Sequence, residues 1–406
     1  MLYRLEVENF YSIRDRQVID LRVARNTPDD DGRLAPIWPG AAERAPKVAA
    51  FFGPNASGKS NILKVLPFLA WLLSRSFQAP PDTLTQFYSR FQNDVMPDQP
   101  SRLAFEFSGP ADPAKIGTPD AEACGYAYEV TLSGARTEPL KVLNEALTYR
   151  PLGSSRNLRL FERDQDGRVR AGRAFGLAEY ALVLDKVFRP NTSVVSTLAA
   201  LNHPFSIMLA KIETLVRTNI FVDRTEVPDG VVVQHYASNT QHLKRLNREI
   251  ARLDLGVCGV HVQPVGNSVE LFFEHAGLSA PLSRKLESHG TWQFVKLFPM
   301  LIQALDTGGI AIIDELDFAL HPFLLPEILR WFRDPERNPR NAQLWASCQN
   351  ASMLEDLSKE EVFFCKKNDS GATQIYGLRD ILSVRRDDNY YRKYLGGVYG
   401  AVPLVA

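Results

Sequence analysis

Lys59 and Ser60 close the run Gly53-Pro54-Asn55-Ala56-Ser57-Gly58-Lys59-Ser60, a G-x-x-x-x-G-K-S phosphate loop. Its glycines let backbone N–H groups turn inward and cradle phosphate oxygens. Lys59 is spaced to reach the β- and γ-phosphates of a nucleoside triphosphate, and the Ser60 hydroxyl to ligate Mg²⁺. Asn61, the next residue, belongs to the same binding set. Such a loop works only between a strand and a helix, and the sequence supplies both. Val48-Ala49-Ala50-Phe51-Phe52 reads as a buried strand, and Asn61–Leu66 as the start of a helix. The positive end of that helix adds to the anion site. The helix carries Ile62, Leu63, Val65, Leu66, Phe68, Leu69, Trp71, Leu72 and Leu73, so it is apolar on most faces and buried. Pro67 inside it predicts a kink.

A second element offers acids. The apolar strand Ile310-Ala311-Ile312-Ile313 ends in Asp314-Glu315. Taken alone, this is a common strand terminus. Downstream of a phosphate loop, Asp314 is suited to hold the Mg²⁺, directly or through water, and Glu315 to polarise an attacking water. A third element, Leu286-Glu287-Ser288-His289-Gly290-Thr291, precedes a helix over Trp292–Leu305 that leads into the acidic strand. A hydroxyl and glycine amides at a helix N-terminus make an anion site, with Ser288 and Gly290 as its donors. Ser288 serves equally well as a plain helix cap.

The 406 residues suffice for two or three domains with a substantial core. Lys plus Arg and Asp plus Glu both number 47, so the chain lacks the overall basic charge of a constitutive nucleic-acid binder; a local patch stays open. Cys124, Cys258, Cys348 and Cys365 are scattered, which predicts neither disulfides nor a zinc site and fits a reducing cytoplasm. The opening Met1–Glu8 alternates like a strand and lacks a signal-peptide layout. The longest apolar run, Val65 to Leu73, is interrupted by Pro67 and too short for a bilayer, so no membrane association is expected.

The fold class predicted is α/β: a nucleotide-binding head with a mixed sheet flanked by helices and an inserted, largely helical arm region. Three segments are expected: residues 1–160 with the phosphate loop and a β-subdomain, 161–265 as the helical insertion, and 266–406 with the Ser-x-Gly element and acidic strand. Leu2–Glu8 and Gln17–Leu21 look like an opening hairpin, and Asn26–Pro46 like a loop. Leu103–Phe107 and Tyr126–Leu132 read as strands. In the middle, Phe205, Met208, Leu209, Ile212, Leu215 and Val216 follow helical spacing. Leu243, Leu246, Ile250 and Leu253 do the same, with Lys244, Arg245, Arg248 and Arg252 between them. That basic face is either simply solvated or an arm for nucleic acid or a partner. Gln343–Ser347, Glu361–Lys366 and Thr373–Gly377 read as strands, with Pro326–Phe332 as a helix.

The order of phosphate loop, long insertion, Ser-x-Gly element, helix and acidic strand resembles ABC-type ATPases of the SMC and RecF kind. The run Asp314-Glu315-Leu316-Asp317-Phe318-Ala319-Leu320-His321-Pro322 is similar to the D-E-x-[DE]-x-x-L-H-P run of OLD-like and RloA/AbiLi-like ATPases, bacterial proteins associated with phage defence. Glu287–Thr291, Gly371-Ala372-Thr373-Gln374-Ile375-Tyr376, the tail Tyr394–Pro403 and the start Val7–Ile13 resemble the RloA/AbiLi kind as well. The resemblance implies ATP and Mg²⁺ as ligands and an ATP-sandwich homodimer in which Ser288 and Gly290 act on nucleotide held by the opposite copy. It also allows a higher oligomer. His321 is either a turn histidine before Pro322 or part of the dimer interface. Two positions depart from the pattern, and the first is His289, which replaces a glycine of the generic signature. Where such proteins carry a histidine that senses the γ-phosphate, this chain has Gln349 within Ser347-Cys348-Gln349-Asn350. An amide can donate to a phosphate but cannot titrate, which predicts slow hydrolysis or ATP used mainly as a conformational ligand. For the glutamine that couples metal to the two lobes, Gln86 and Gln92 are both candidates.

Three functions compete on this reading. One is the ATPase sensor of an antiphage, abortive-infection system that controls a nuclease effector encoded nearby, with no nuclease chemistry in this chain. Another is a repair or chromosome-maintenance ATPase that contacts DNA. The third is a scaffold that nucleotide stabilises.

Overall fold

A computed structural model describes residues 1–402 apart from 30, 81–87, 117, 119–120, 135–140, 152–153, 155, 221–226, 254–255 and 319. Among the described residues the chain runs β1 (Leu2–Glu8), β2 (Gln17–Asp20), β3 (Leu34–Pro36), β4 (Arg44–Pro46) and β5 (Val48–Phe52) into the helices α1 (Lys59–Leu63) and α2 (Val65–Arg75). Strands β6 (Ser101–Pro110), β7 (Ala123–Leu132), β8 (Val142–Arg150), β9 (Leu158–Arg163) and β10 (Val169–Ala171) follow. After short helices come β11 (Val216–Thr218), α3 (Asp229–Ser238), α4 (Thr240–Leu253), β12 (Val257–Val265), β13 (Ser268–His275) and β14 (Leu282–Ser283). The last third holds α5 (His289–Thr307), β15 (Ile310–Ile313), α6 (Leu324–Arg333), β16 (Gln343–Ser347), β17 (Val362–Lys367), β18 (Thr373–Gly377) and α7 (Tyr390–Leu395).

The central sheet has the order β11-β15-β16-β5-β17-β18. Its strands pair in parallel except β17 with β18, so the sheet is mixed, as the sequence predicts. β5 is buried at all five positions. Successive side chains point to opposite faces. Val48, Ala50 and Phe52 join one apolar cluster, and Ala49 and Phe51 the other. β15, β16 and β17 split the same way: Ala311, Leu344 and Phe364 lie in the first cluster, Ile312, Trp345 and Phe363 in the second. A sheet with a core on each face needs strands that are apolar throughout, which is why these runs do not alternate with polar residues.

The second sheet is antiparallel, in the order β10-β9-β8-β7-β6-β1-β2. β8 was not evident from sequence: its stretch Leu143-Asn144-Glu145-Ala146-Leu147 is made largely of helix-compatible residues, and pairing to β7 and β9 on both sides imposes the extended form. The loop expected over Asn26–Pro46 contains the short β3–β4 ladder. Pro36 and Pro46 sit at its strand ends, where a missing N–H is tolerated. The helical spacing through Val216 also breaks. Helices cover Pro204–Ala210 and Ile212–Leu215, and Val216 opens β11.

The helix that carries Pro67 is not continuous. The helix is interrupted at Lys64, between α1 and α2, one turn before the proline. α5 contains Pro299, which cannot donate to the Val295 carbonyl; the fully buried Tyr236 hydroxyl of α3 donates to that oxygen at 2.8 Å instead. α4 buries Leu246 and Ile250, and Asn247 makes two hydrogen bonds to the Val260 backbone of β12. Its Arg245 pairs with Asp306 of α5, and Arg252 with Glu249 and Glu327. The tail closes over β17, with the Tyr394 ring stacked on Phe364 at 5.3 Å. Among the described residues no helix is long and apolar enough to cross a membrane.

Candidate functional site

The phosphate loop turns on two residues in the left-handed region, Ala56 (φ 62°) and Gly58 (φ 106°). Glycine at 58 is required twice over: a Cβ there would lie 2.2 Å from Thr373 Oγ1. Gly53 is pressed as closely, since its Cβ would fall 2.1 Å from the Cys365 carbonyl of β17. Thr373 braces the loop from β18, donating through Oγ1 to the Ser57 carbonyl at 2.9 Å and contacting Ser12 Oγ at 2.8 Å. Asn61 Nδ2 donates to the same Ser12 hydroxyl at 2.7 Å. Lys59 is 6% exposed, and its Nζ donates to the carbonyls of Gly53 and Pro54 at 2.7 and 3.0 Å. Burial lowers the pKa of its ammonium, opposed by Cys365 and the carboxylates of Asp314, Glu315 and Asp317. The buried Ser57 hydroxyl has no hydrogen-bond partner among the described residues.

The acidic strand end lies beside this loop because β15 and β5 flank β16 in the sheet. Asn55, Ala56, Ser57, Gly58, Lys59, Ser60, Asn61, Asp314, Glu315 and Gln349 line one cavity of about 490 Å³. These residues span nearly 300 positions of sequence, and the fold brings them together. Glu315 adopts φ 52°, a left-handed conformation uncommon for a residue with a side chain. Ser347, at the end of β16, holds this turn. Its Oγ accepts from Glu315 N at 2.7 Å and donates to Asp314 Oδ1, and its carbonyl accepts from Leu316 N at 3.0 Å. Gln349 Nε2 donates to Glu315 Oε1 at 3.1 Å. Asp317 Oδ2 fixes the Gln349 backbone by accepting from its N–H at 2.8 Å, and it accepts from Asn350 N as well.

Ser288 and Gly290 do not line that cavity. Ser288 is the N-cap of α5, its Oγ accepting from Thr291 N at 3.1 Å, as the capping reading anticipates. Its neighbour His289 meets Phe318, on the turn after the acidic pair, edge to face at 5.8 Å. His321 lies in the turn before α6, where Nδ1 accepts from Phe323 N at 3.3 Å. Gln92 is exposed, bonds to the Arg90 carbonyl and does not line the cavity. Gln86, and Ala319 of the acidic run, lie outside the described residues. Sequence reasoning missed Ser347 and Thr373 as braces, and it missed Asn219, whose side chain bonds to the Asp314 backbone.

A family model described as AAA domain, putative AbiEii toxin, type IV TA system, matches residues 48–345, more than half of the chain. The chain belongs to this family. The matched span of the AbiEii-type AAA family begins at the first residue of β5 and ends within β16, enclosing the loop, Ser288–Gly290 and the acidic pair but not Gln349. No curated protein matches the chain. Among solved structures, the SMC head domain from Thermotoga maritima matches at 16% identity over 93% of this chain and 98% of that one, with a TM-score of 0.41. The Smc head domain with an extended coiled coil, bound to the C-terminal domain of ScpA and derived from Pyrococcus furiosus, matches at 13% identity, 98% and 100% coverage and a TM-score of 0.42. The family and the mixed α/β architecture together make this a P-loop ATPase-type domain.

Proposed function

We propose that this chain binds ATP with Mg²⁺, hydrolyses it slowly, and uses it to join two copies into a sandwich homodimer. In that dimer Ser288 and Gly290 of one copy face the γ-phosphate held by the other. The dimer is the sensor module of an abortive-infection system and controls a partner nuclease, in the manner of the RloA/AbiLi-like proteins its motifs resemble. Residues 1–160 and 266–406 supply the two lobes of the head around the 161–265 insertion.

The observation that carries this reading is the shared cavity of loop, acids and Gln349. Lys59 is held there by two carbonyls of its own loop, bonds that a phosphate would replace with ion-paired ones. Among the described residues no group of three or more His, Cys, Asp or Glu is arranged to hold a metal. Magnesium needs none, because it takes one or two carboxylates and the substrate's own phosphates. Ser60 and Asp314, which line the same cavity, fit that requirement. The ion would neutralise charge on the phosphate oxygens. Glu315 accepts the proton of the attacking water as the bond from the γ-phosphorus to the bridging oxygen breaks, releasing ADP and phosphate. Gln349, bonded to Glu315, orients that carboxylate but cannot relay a proton. On the basic face of α4, Arg245 and Arg252 are paired with acids, while Lys244 and Arg248 are exposed.

Sizing with light scattering tests the sandwich. Glu315→Gln with ATP is expected to run as a dimer, and without ATP as a monomer. A monomer under both conditions would rule the sandwich out. Incubating the purified chain with DNA and RNA tests the division of labour, and degradation by the chain alone would contradict it.

A further inference from the structure

β11 ends at Thr218, yet its pairing with β15 continues one step further. The parallel register runs Val216 to Ile310, Arg217 to Ala311 and Thr218 to Ile312. Beyond it the Asn219 side chain takes over: Nδ2 donates to the Asp314 carbonyl at 2.9 Å, and Oδ1 accepts from Asp314 N at 2.8 Å. A carboxamide carries the same donor and acceptor as a peptide group, so the side chain stands in for the next rung of the ladder. On the opposite flank Ser347 holds Glu315 N and the Asp314 carboxylate. Residues 314 and 315 are thus gripped from both neighbouring strands. They need it, because Glu315 at φ 52° occupies a conformation that persists only where the surroundings over-determine it.

We propose that Asn219 is a positioning residue for ATP cleavage, fixing the backbone at Asp314 so that the Asp314 and Glu315 carboxylates keep their places on the cavity wall. The proposal rests on the ATPase reading above. Asn219 does not line the cavity, so it acts through the two acids and not on nucleotide directly. Its loss leaves the three β11–β15 pairs and the buried apolar residues around them intact.

The test compares full-length wild type with Asn219→Ala and with Asn219→Leu, which keeps the bulk and lacks both bonds. Three quantities are read: kcat and KM for ATP, affinity for a fluorescent ATP analogue, and amide hydrogen exchange over residues 310–318. Both variants are expected to lose about tenfold or more in kcat, the consequence of two hydrogen bonds lost at the strand end. KM and analogue affinity should stay within about threefold, because the phosphate loop is untouched. Exchange at residues 314–316 should quicken while that of β16 and β5 stays as in wild type. The proposal is overturned if kcat is unchanged in either variant, if exchange at 314–316 is unchanged, or if kcat, affinity and melting temperature fall together. A wild type with no turnover would instead defeat the ATPase reading, and the positioning role with it. An active wild type beside equally active variants would defeat this inference alone.

Discussion

Gln349 donates its side-chain amide to Glu315 Oε1 at 3.1 Å, while its own backbone is fixed by Asp317. On the proposed mechanism, a non-titrating donor thus touches the carboxylate that takes the proton of water. Gln349→Ala is expected to lower steady-state turnover by about tenfold, the worth of one hydrogen bond to a charged group. Gln349→His should raise turnover above wild type and add an inflection near the imidazole pKa of about 6.5. Phosphate release followed across pH 5.5–8.5, a range of about three units around that value, checks both. Equal rates for all three proteins would remove Gln349 from the mechanism.

Lys59 sits almost fully buried with two loop carbonyls as partners. Lys59→Ala removes the only cation of the loop. Affinity for ATP should drop by roughly a hundredfold, since charge-assisted bonds contribute about 1.5–3 kcal/mol each. Calorimetric titration with a non-hydrolysable ATP analogue measures it, and near wild-type affinity would displace nucleotide from this cavity.

Gly58→Ala forces a Cβ toward Thr373 Oγ1 at a backbone angle that side chains rarely accept. The loop must shift, and nucleotide binding should be lost while the protein still folds. Thr373→Ala clears that clash but also removes the bond to the Ser57 carbonyl, so the double variant should recover binding only in part. Full recovery would mean that Thr373 does not brace the loop.

His203 gives a pH signature of stability. It caps the helix Pro204–Ala210 by accepting from Ser206 N through Nδ1, and Nε2–H donates to the Phe175 carbonyl at 2.6 Å. Burial lowers its pKa below 6.5, as it does for His235 and His242. A lowered value means that the unfolded chain binds the proton first as pH falls. The stabilising contribution is complete above pH 6.5, the unfolded value, and is lost as pH falls below it toward the folded value. Melting temperature should therefore decrease from pH 7.5 to 5.5, a span of about one unit either side of 6.5, and decrease less in His203→Asn, which keeps a capping oxygen. An identical slope in that variant would acquit His203.

The parts of the site legible in the sequence are those written in consecutive residues. The loop from Gly53 to Ser60, the Asp314-Glu315 strand end and the Ser288 cap each carry their geometry in local spacing. The braces are not written that way. Ser347 matters because β16 lies beside β15, Asn219 because β11 lies on the other side, and Thr373 because β18 reaches the loop. A serine, an asparagine and a threonine are ordinary residues until sheet order gives them neighbours. Strands β8 to β10 were unread for a related reason: pairing partners, and not their own composition, hold them extended.

The place of β5 in the central sheet has a consequence for synthesis. This strand, complete at residue 52, is flanked by β16 and β17, which end at residues 347 and 367. A ribosome adding about 5–20 residues per second leaves Val48–Phe52 without either neighbour for roughly 15–60 s. During that interval an apolar five-residue segment is a client for chaperones, and the loop it carries has no floor. Copies truncated before β16 lack both neighbours of β5 and are expected not to bind nucleotide. On the function proposed above, this order of assembly would leave only finished molecules able to respond to a trigger.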